Sequence, residues 1–410
     1  MAYEVVIGVE GHAQLRTQSK WFWACGTTFG RTANSQTCPV CLGLPGTLPV
    51  INEKAVEMAV RAGLAMNGTI GVQNRFARKN YFYPDLPKGY QISQYEAPIC
   101  EHGWIEIAAG GSRKRVRIRR AHLEEDAGKN LHEVGSGMSL VDLNRAGTPL
   151  LEIVTEPDLS SSEEVVAYLK ALRDLLMYLD VCDGNMEEGS FRCDANISIR
   201  PVGTTEYLSK VEVKNMNSFK AVYKALEYEA ERQRKAFEKG EKIPKETRGW
   251  VEESGKTVSQ RSKEYAHDYR YFPDPDLLPL EFDQAYVDAL AKDLPELPDD
   301  KKQRLVASLG LSVYDASVLV SEKSVADYFE KVAAGRDGKA AANWVINDLL
   351  GALNKAGKDI DEAPVSPDQL GAIVQRQQAI EDTPRGSRIP LPARRRSFLH
   401  ADCAGDQGGG

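Results

Sequence analysis

The stretch from Glu187 to Arg200 combines charged side chains with the alternation of a β-strand. From Phe191 onward every second residue is apolar, and the positions between them are polar: Arg192, Asp194, Asn196, Ser198 and Arg200. This period of two predicts a strand with one buried face. A row of guanidinium, carboxylate, amide and hydroxyl groups about 7 Å apart suits an anionic, metal-bearing ligand. On the evidence of this strand alone, the polar side could instead be an ordinary solvent-exposed face that binds no ligand.

Two further segments repeat the pattern. In VVIGVEGHAQL, the polar residues Glu10, His12 and Gln14 share one face, and in SKVEVKN, Glu212 and Lys214 oppose apolar valines. Successive side chains of a strand point to opposite faces. The three segments therefore predict one sheet whose polar face lines a cleft.

A fourth segment, residues 117–130, supplies metal-type ligands where a strand runs into a glycine turn. It carries His122, Glu124, Glu125 and Asp126. Magnesium prefers hard oxygen ligands, and a transferring phosphate needs cations around it. Carboxylates and an imidazole collected with Arg and Lys therefore indicate phosphoryl transfer through magnesium.

Helical periodicity and caps predict the scaffold. Helices are expected after Asn52, from the SSSEE cap to Tyr178, and from Ser218 to Gly240. From Pro295 onward, successive amphipathic helices are separated by Gly or Pro. The ESGKT segment lacks the spacing and the preceding strand of a phosphate loop, so a hairpin turn is expected there.

Three thiols lie in a Gly/Pro-rich loop after the first strand. Cys38 and Cys41 have CxxC spacing, and Cys25 lies upstream. This spacing is typical of zinc ligands in a reducing compartment, with no obvious fourth ligand. Ordinary buried thiols are the alternative. The odd total of seven cysteines argues against a disulfide framework.

Two basic segments are ambiguous. Residues 75–99 bring Lys79 beside Tyr81 and other tyrosines, a composition that contacts phosphates and stacks on a base or ribose, or that forms a packed turn. Residues 113–120, RKRVRIRR, suit either a tRNA-facing strip or a solvated edge strand. The second interpretation of 113–120 is favoured.

Length and composition limit the number of domains and the class of protein. The chain has 410 residues, 42% of them hydrophobic, with a net charge of −7, which predicts two or three globular domains and argues against a general nucleic-acid coat. It has no run of 18 apolar residues and no charged-then-apolar leader, so a cytoplasmic location without membrane contact is expected.

Residues 383–410 have five Arg, no Lys and no apolar period. They predict a disordered tail, with the composition of an out-of-frame reading of a GC-rich gene.

Several motifs together resemble one family. GVEGHAQL, CPVCLGLPGTLPV, KNYFYPDLPKGYQISQ, HLEEDAGK, VDLNRAGTPLLEI, MEEGSFRCDANIS, VEVKNMNSF and DYRYFPDPDL are similar to the blocks of the GatB/GatE family, the B subunits of the bacterial aspartyl/glutamyl-tRNA amidotransferases. The likeness runs from about residue 3 to 382. It implies an α+β fold: an antiparallel cradle domain similar to the glutamine synthetase fold (1–293) and a helical domain that helps to hold tRNA (294–382), followed by the atypical tail (383–410).

The resemblance also implies an activity. ATP phosphorylates the side-chain carboxylate of misacylated Glu-tRNA(Gln) or Asp-tRNA(Asn), and ammonia then displaces phosphate. The chain shows no amidase signature, so the ammonia would come from the amidase (A) subunit of the enzyme, with the small (C) subunit wrapping the pair. Magnesium and ATP are the implied cofactors, with zinc uncertain.

Site residues carry over by motif. The resemblance implies that Glu10, His12 and Glu125 bind magnesium, with Glu124 as the alternate because the strand register is ambiguous. The polar-face pattern adds Asp194, Lys214 and Arg192 around the phosphates. The basic, Tyr-rich segment 75–99 adds Lys79 and Tyr81 as nucleotide contacts. Asn144 and Arg145 of the DLNR motif are left as substrate contacts.

The chain departs from the family pattern at two upstream positions. Gly11 stands where the family has a branched residue, which predicts a loosened strand, and Trp23 stands where zinc-binding members have a Cys. Two other functions stay open: a tRNA-binding scaffold with an inactive site, and a free-standing ATP-dependent carboxylate–amine ligase.

Overall fold

The computed structural model describes residues 3–132, 138–205, 210–262 and 266–381. Contacts between residues divide the chain into two units, Met1–Pro295 and Glu296–Gly410. The boundary expected from the sequence is 293/294. The predicted disordered tail, 383–410, lies outside the described residues.

The first unit combines many strands with four α-helices in its described part. The strands are β1 (Tyr3–Gln14), β2 (Thr69–Ile70), β3 (Gln73–Asn74), β4 (Phe76–Asn80), β5 (Tyr90–Gln94), β6 (Cys100–Ala109), β7 (Ser112–Glu125), β8 (Lys129–His132), β9 (Ser139–Asp142), β10 (Pro149–Thr155), β11 (Phe191–Pro201), β12 (Val211–Lys214), β13 (Glu246–Val251), β14 (Lys256–Ser262), β15 (Phe272–Pro273) and β16 (Leu280–Glu281). The helices are α1 (Glu53–Ala65), α2 (Ser162–Tyr178), α3 (Phe219–Glu238) and α4 (Gln284–Lys292).

A large central sheet organises this unit. Among the described residues its strand order is β14-β13-β12-β11-β1-β10-β7-β6-β2. Only the β12–β13 pair is parallel, and the other pairs are antiparallel. The three predicted polar-faced strands are therefore neighbours, and the predicted mixed α+β class is confirmed. The ESGKT segment covers the end of the turn between β13 and β14 and the first two residues of β14, so the expected hairpin is present.

One face of the central sheet is apolar and packs under α2 and α3. The apolar residues of β11 are at most 3% exposed. A Cβ added at Gly11 would meet the side chain of Leu172, on α2, at 3.1 Å. Gly11 is paired with both neighbouring strands. Helix α2 therefore takes the space that the missing side chain leaves, and the expected loosening of β1 is not seen.

Side-chain caps begin the main helices where the sequence places them. Asn52 accepts a hydrogen bond from the backbone of α1, and Ser161 and Ser218 do the same for α2 and α3. Such caps satisfy backbone N–H groups that the first turn leaves free. The order of scaffold elements therefore follows directly from local sequence.

The basic strand β7 lies between β10 and β6. It is not the edge strand that the sequence suggests. Its exposed arginines are each paired with a carboxylate: Arg113 and Arg115 with Glu106, Arg117 with Asp158, and Arg119 with Glu156.

The second unit is built from helices over its described residues, 296–381. These are α5 (Pro298–Leu309), α6 (Val313–Leu319), α7 (Lys323–Ala333), α8 (Gly338–Asn343), α9 (Gly351–Ala356) and α10 (Pro367–Glu381), with a π-helical segment (Trp344–Leu350) joining α8 to α9. Their apolar residues form one core around Phe329, Leu305 and Val345. Across the described part of both units, none of the helices combines the length and apolarity needed to cross a membrane.

Candidate active site

Polar residues of neighbouring strands meet on the face of the central sheet opposite α2 and α3. His12 lies opposite Arg192 in the pairing of β1 with β11, and opposite Glu152 in the pairing with β10. Glu152 in turn lies opposite His122 of β7. Directly paired residues share a face of the sheet. The four side chains therefore form one row across β11, β1, β10 and β7.

A first cluster surrounds Glu152. Oε2 of Glu152 lies 3.6 Å from Nε2 of His12 and 3.4 Å from Nε2 of His122. Glu124 completes the group, because ligand-type atoms of His12, Glu124 and Glu152 all lie within 4.8 Å of one another. Oε2 of Glu124 is buried and has no hydrogen-bond partner in the described structure. Burying a carboxylate oxygen without a hydrogen bond costs free energy. The position of this oxygen therefore favours a bound ligand, such as a cation, beside it.

The electrostatics of this cluster separate the two histidines. Burial lowers the pKa of His12, but the contact with Glu152 outweighs it and raises this pKa to about 9. Burial lowers the pKa of His122 to about 4. Burial, together with the charge of Glu152, raises the pKa of Glu124 to about 7. The cluster therefore places a protonated and a neutral imidazole on either side of one carboxylate.

A second acidic cluster lies next to it on the same face. Glu10, Asp194 and Glu212 have carboxylate oxygens within 4.8 Å of one another. The ammonium of Lys214 contacts Asp194 and lies 3.5 Å from Glu212. Burial, followed by the charges of neighbouring carboxylates, raises the pKa of Glu10. Three carboxylates around one lysine leave a negative surplus that favours a cation.

Glu125 does not join either cluster. Both its oxygens accept from Nζ of Lys88, at 2.5 and 2.6 Å, and one also accepts from the backbone N–H of Ile92. The expected set of Glu10, His12 and Glu125 is therefore not brought together in this structure. Glu124, the alternate, takes the position beside His12.

A β-bulge is the reason for this shift. The register of β10 with β7 slips between Val154 and Thr155. Before the slip, Val116 and Ile118 of β7 face the core, and after it Ala121 and Leu123 do so, each at most 1% exposed. One extra residue inverts the alternation of the strand. It turns Glu124 to the polar face and Glu125 to the other side.

Arg192 is held by an acidic partner. Its guanidinium donates two hydrogen bonds to Asp126, at 2.9 and 3.1 Å. Asp126 also accepts from Nε2 of Gln14 at 2.7 Å and lies 3.6 Å from Nε of Arg145. Despite burial, the charge of Arg192 lowers the pKa of Asp126. This network fixes the guanidinium of Arg192 at the rim of the first cluster.

The DLNR residues are used by the scaffold. Arg145 donates to the backbone carbonyls of Ala127 and Gly128, at 2.8 and 2.7 Å. Oδ1 of Asn144 accepts from the backbone N–H of Gln36, and its Nδ2 donates to the carbonyl of Thr32. The Asn144 contacts tie the cysteine-containing loop to the turn after β9, and the Arg145 contacts tie that turn to the segment after β7. Both side chains are thus held by backbone groups, and their expected contacts with substrate stay a prediction.

Lys79 and Tyr81 lie beside the first cluster. Nζ of Lys79 lies 5.8 Å from the ring centre of Tyr81 and 4.9 Å from that of Tyr269. The pKa of Glu152 lies well below its usual range because His122 and His12 offset the effect of burial, with Lys79 adding to them. Lys79 is therefore close enough to the first cluster for its positive charge to stabilise the ionised carboxylate of Glu152.

Comparison with known proteins decides the family. Residues 5–288 match the model described as the GatB/GatE catalytic domain, and residues 327–381 match the GatB domain. The chain belongs to this family.

Curated relatives agree with the domain matches. A protein of Thermodesulfovibrio yellowstonii is 56% identical over 376 residues, covering 92% of this chain and 79% of the relative. One from Mesorhizobium japonicum is 59% identical over 378 residues, covering 91% and 76%. Both are named as the B subunit of an aspartyl/glutamyl-tRNA(Asn/Gln) amidotransferase.

The three thiols of the loop come together. Ligand atoms of Cys25, Cys38 and Cys41 lie within 4.8 Å of one another, and the last two sulfurs are 3.5 Å apart. These sulfurs fit three positions of a tetrahedral zinc site. Nζ of Lys20, which is buried, lies 3.3 Å from Sγ of Cys41, and Trp23 is exposed. The polar group beside the sulfurs is thus an ammonium, which has no free electron pair with which to bind zinc.

Sequence reasoning missed Glu152, at the centre of the first cluster. Its signal is a single acid within the apolar strand PLLEIVT, where Leu151 and Ile153 are buried on the opposite face. An isolated carboxylate in an otherwise apolar strand of a large sheet indicates a polar partner on a neighbouring strand. That partner, His12, is more than one hundred residues away in the sequence.

Proposed function

We propose that this chain is the ATP-using component of a tRNA-dependent amidotransferase. It phosphorylates the side-chain carboxylate of the Glu on misacylated Glu-tRNA(Gln), or of the Asp on Asp-tRNA(Asn), and converts the acid to an amide. The observation that carries the proposal is the pair of adjoining carboxylate clusters on one sheet face, flanked by Lys214, Arg192 and Lys79. The names of the relatives supply the tRNA and the amide-forming reaction.

Magnesium is the metal that this donor set would hold. Glu124 and Glu152 offer carboxylate oxygens, His12 would offer an imidazole nitrogen after releasing its proton to solvent, and Glu10 lies in the adjoining cluster. The buried, unpartnered oxygen of Glu124 fits a ligand for a hard cation. When bound, magnesium would neutralise phosphate charge. We propose Glu124 in place of Glu125, whose carboxylate is occupied by Lys88.

The basic side chains would act on the phosphates. Lys79 forms no ion pair within the described part of the chain and lies over the ring of Tyr81, so both suit the nucleotide. Lys214 and Arg192 are held by Asp194 and Asp126, and their fixed positive charges would face a transferring phosphoryl group. Preorganised charges of this kind stabilise the negative charge of phosphoryl transfer.

The chemistry has two balanced steps. A side-chain carboxylate oxygen of the aminoacyl group attacks the γ-phosphorus of ATP, the bond to the bridging oxygen breaks, and an acyl phosphate and ADP form. Ammonia then attacks the carbonyl carbon, the C–O bond to phosphate breaks, and the nitrogen gives one proton to the departing phosphate, so that the amide and inorganic phosphate form. The carboxylate thus gains a leaving group that it lacks by itself.

The remaining parts of the proposal concern fold and partners. We propose that the central sheet with α2 and α3 is a cradle of the glutamine synthetase type, and that the helical unit helps to hold tRNA. Ammonia would come from the amidase (A) subunit, with the small (C) subunit completing a heterotrimer. The designation of the relatives as B subunits supports a multi-subunit enzyme.

Reconstitution tests the function. The chain is co-expressed with candidate amidase and small subunits, and amide formation on misacylated tRNA is measured with and without ATP. The proposal requires product that depends on both ATP and tRNA. Bound tRNA without ATP hydrolysis in the complete complex would show a scaffold. Turnover of free glutamate without tRNA would show a free-standing ligase.

A further inference from the structure

Five tyrosine rings form a continuous series beside the candidate active site. Tyr95 stacks on Tyr271 with ring centres 4.2 Å apart, and Tyr271 meets Tyr269 at 6.1 Å. Tyr269 meets Tyr81 at 6.0 Å, and Tyr81 meets Tyr83 at 5.9 Å. We call these five residues the tyrosine track. It joins the turn after β4 and the residue after β5 to the segment before β15, which is far from both in the sequence.

The middle of the track lies next to the first cluster, and its ends reach solvent. Burial, with the nearby charge of Glu124, raises the pKa of both Tyr81 and Tyr271. At the two ends, Tyr95 is 38% exposed and Tyr83 is 47% exposed. A ligand lying along the track would therefore begin at the surface and pass the carboxylates.

Three cations follow the track without a carboxylate partner in the described part of the chain. Lys79 lies over Tyr81 and Tyr269. Arg120 donates to the backbone carbonyl of Tyr95 at 3.0 Å. Arg270 is exposed and lies between Tyr269 and Tyr271 in the sequence. These charges are available to an anionic ligand.

The arginines of β7 provide a contrast within the same sheet. Arg117 and Arg119 each contact one carboxylate at 2.6 and 3.0 Å, and Arg115 lies 3.7 Å from the ring centre of Trp104 and 3.4 Å from Glu106. Exposed pairs of this kind leave little net positive potential. Unlike these arginines, Lys79, Arg120 and Arg270 have no carboxylate partner in the described part of the chain.

We infer that the tyrosine track binds the single-stranded 3′ end of the tRNA, with bases stacked on the rings other than Tyr81 and phosphates beside Arg120 and Arg270, while Tyr81 and Lys79 contact the nucleotide of ATP. The inference rests on the proposed function, which requires the aminoacylated end to reach the two clusters. Aromatic side chains interleaved with cations are the usual platform for single-stranded nucleic acid. One adenine would cover one or two rings, whereas five rings with both ends exposed suit several nucleotides.

The first test is kinetic and uses the exposed ends of the track. Tyr95→Leu and Tyr83→Leu, in the reconstituted complex, should each raise KM for misacylated tRNA by about tenfold, with kcat at saturating tRNA and KM for ATP unchanged. Tyr95→Phe, which keeps the ring, should restore KM for tRNA. Tyr223→Leu, on α3 at 38% exposure, is the matched control and should change neither constant. A raised KM for ATP with unchanged KM for tRNA would assign the track to the adenine of ATP and overturn the inference.

The second test needs no catalysis, so it separates this inference from the proposed function. Binding of two RNA minihelices to the complex is measured, one with and one without the single-stranded 3′ extension. The extension should tighten binding, and Tyr95→Leu should remove that gain. The double variant Arg120→Gln/Arg270→Gln should flatten the dependence of affinity on salt, whereas Arg115→Gln should leave it unchanged. Equal affinity for the two minihelices would overturn the inference even if amide formation is observed.

Discussion

Oε2 of Glu152 lies 3.6 Å from Nε2 of His12, across the direct pairing of β10 with β1. This contact raises the pKa of His12 against the effect of burial. It joins two family motifs that are distant in the sequence, and it defines the centre of the candidate magnesium site.

Removing the charge of Glu152 is expected to slow the reaction strongly while preserving the fold. Glu152→Gln keeps the shape of the side chain and removes a charged oxygen ligand, so kcat should fall by about 100-fold, equivalent to about 2.7 kcal/mol. Glu156→Gln, a carboxylate just beyond β10 that pairs with Arg119, is the control and should retain activity. Full activity of Glu152→Gln with normal magnesium dependence would remove Glu152 from the site.

Glu124 and Glu125 are expected to differ sharply in their effects. Glu124→Gln should abolish magnesium binding in calorimetry, because it removes the unpartnered oxygen of the first cluster. Glu125→Gln leaves the half-buried Lys88 without its partner, so it should lower the free energy of unfolding by about 3 kcal/mol. Urea unfolding beside magnesium titration distinguishes them. Loss of magnesium binding in Glu125→Gln with unchanged stability would restore Glu125 as the ligand.

Asp194 and Lys214 are expected to act as a unit. Asp194→Asn should lower turnover more than tenfold, at least about 1.4 kcal/mol of transition-state stabilisation, because Lys214 loses the partner that orients it. Lys214→Met should cost a similar amount, and the double variant should lose little more than either single variant. Fully additive losses in the double-mutant cycle would show that the two side chains act independently.

Zinc is expected to be weak or absent. Cys25, Cys38 and Cys41 supply three sulfurs, but Trp23 replaces a fourth thiol, and the ammonium of Lys20 lies beside Cys41. Metal analysis of the purified protein should find well below one zinc per chain, and Trp23→Cys should raise that content. One tightly held zinc in the unaltered protein would show that a substitute ligand exists.

Local patterns predicted the scaffold well because they reflect local physics. Alternation fixed the buried faces of β1, β11 and β12, and Asn52, Ser161 and Ser218 marked the helix starts. Each of these features depends on neighbours in sequence: the pleat of a strand or the free N–H groups of a first turn.

The site predictions that differ from the structure depend on pairing between strands that are distant in the sequence. No local pattern shows the bulge between Val154 and Thr155, yet it decides whether Glu124 or Glu125 faces His12. Glu152 acquires its role only when β10 lies between β1 and β7. Likewise Tyr271 joins Tyr95 only through packing of distant segments.

The central claim is that ATP phosphorylates the side-chain carboxylate of the aminoacyl group at this sheet face. The most direct measurement uses misacylated tRNA whose two side-chain carboxylate oxygens are both ¹⁸O, with the reconstituted complex, ATP and ammonia. Mass spectrometry of the released inorganic phosphate should find one ¹⁸O atom for each amide formed, since the acyl phosphate leaves with a carboxylate oxygen. Amide formation that yields phosphate free of ¹⁸O would contradict the account.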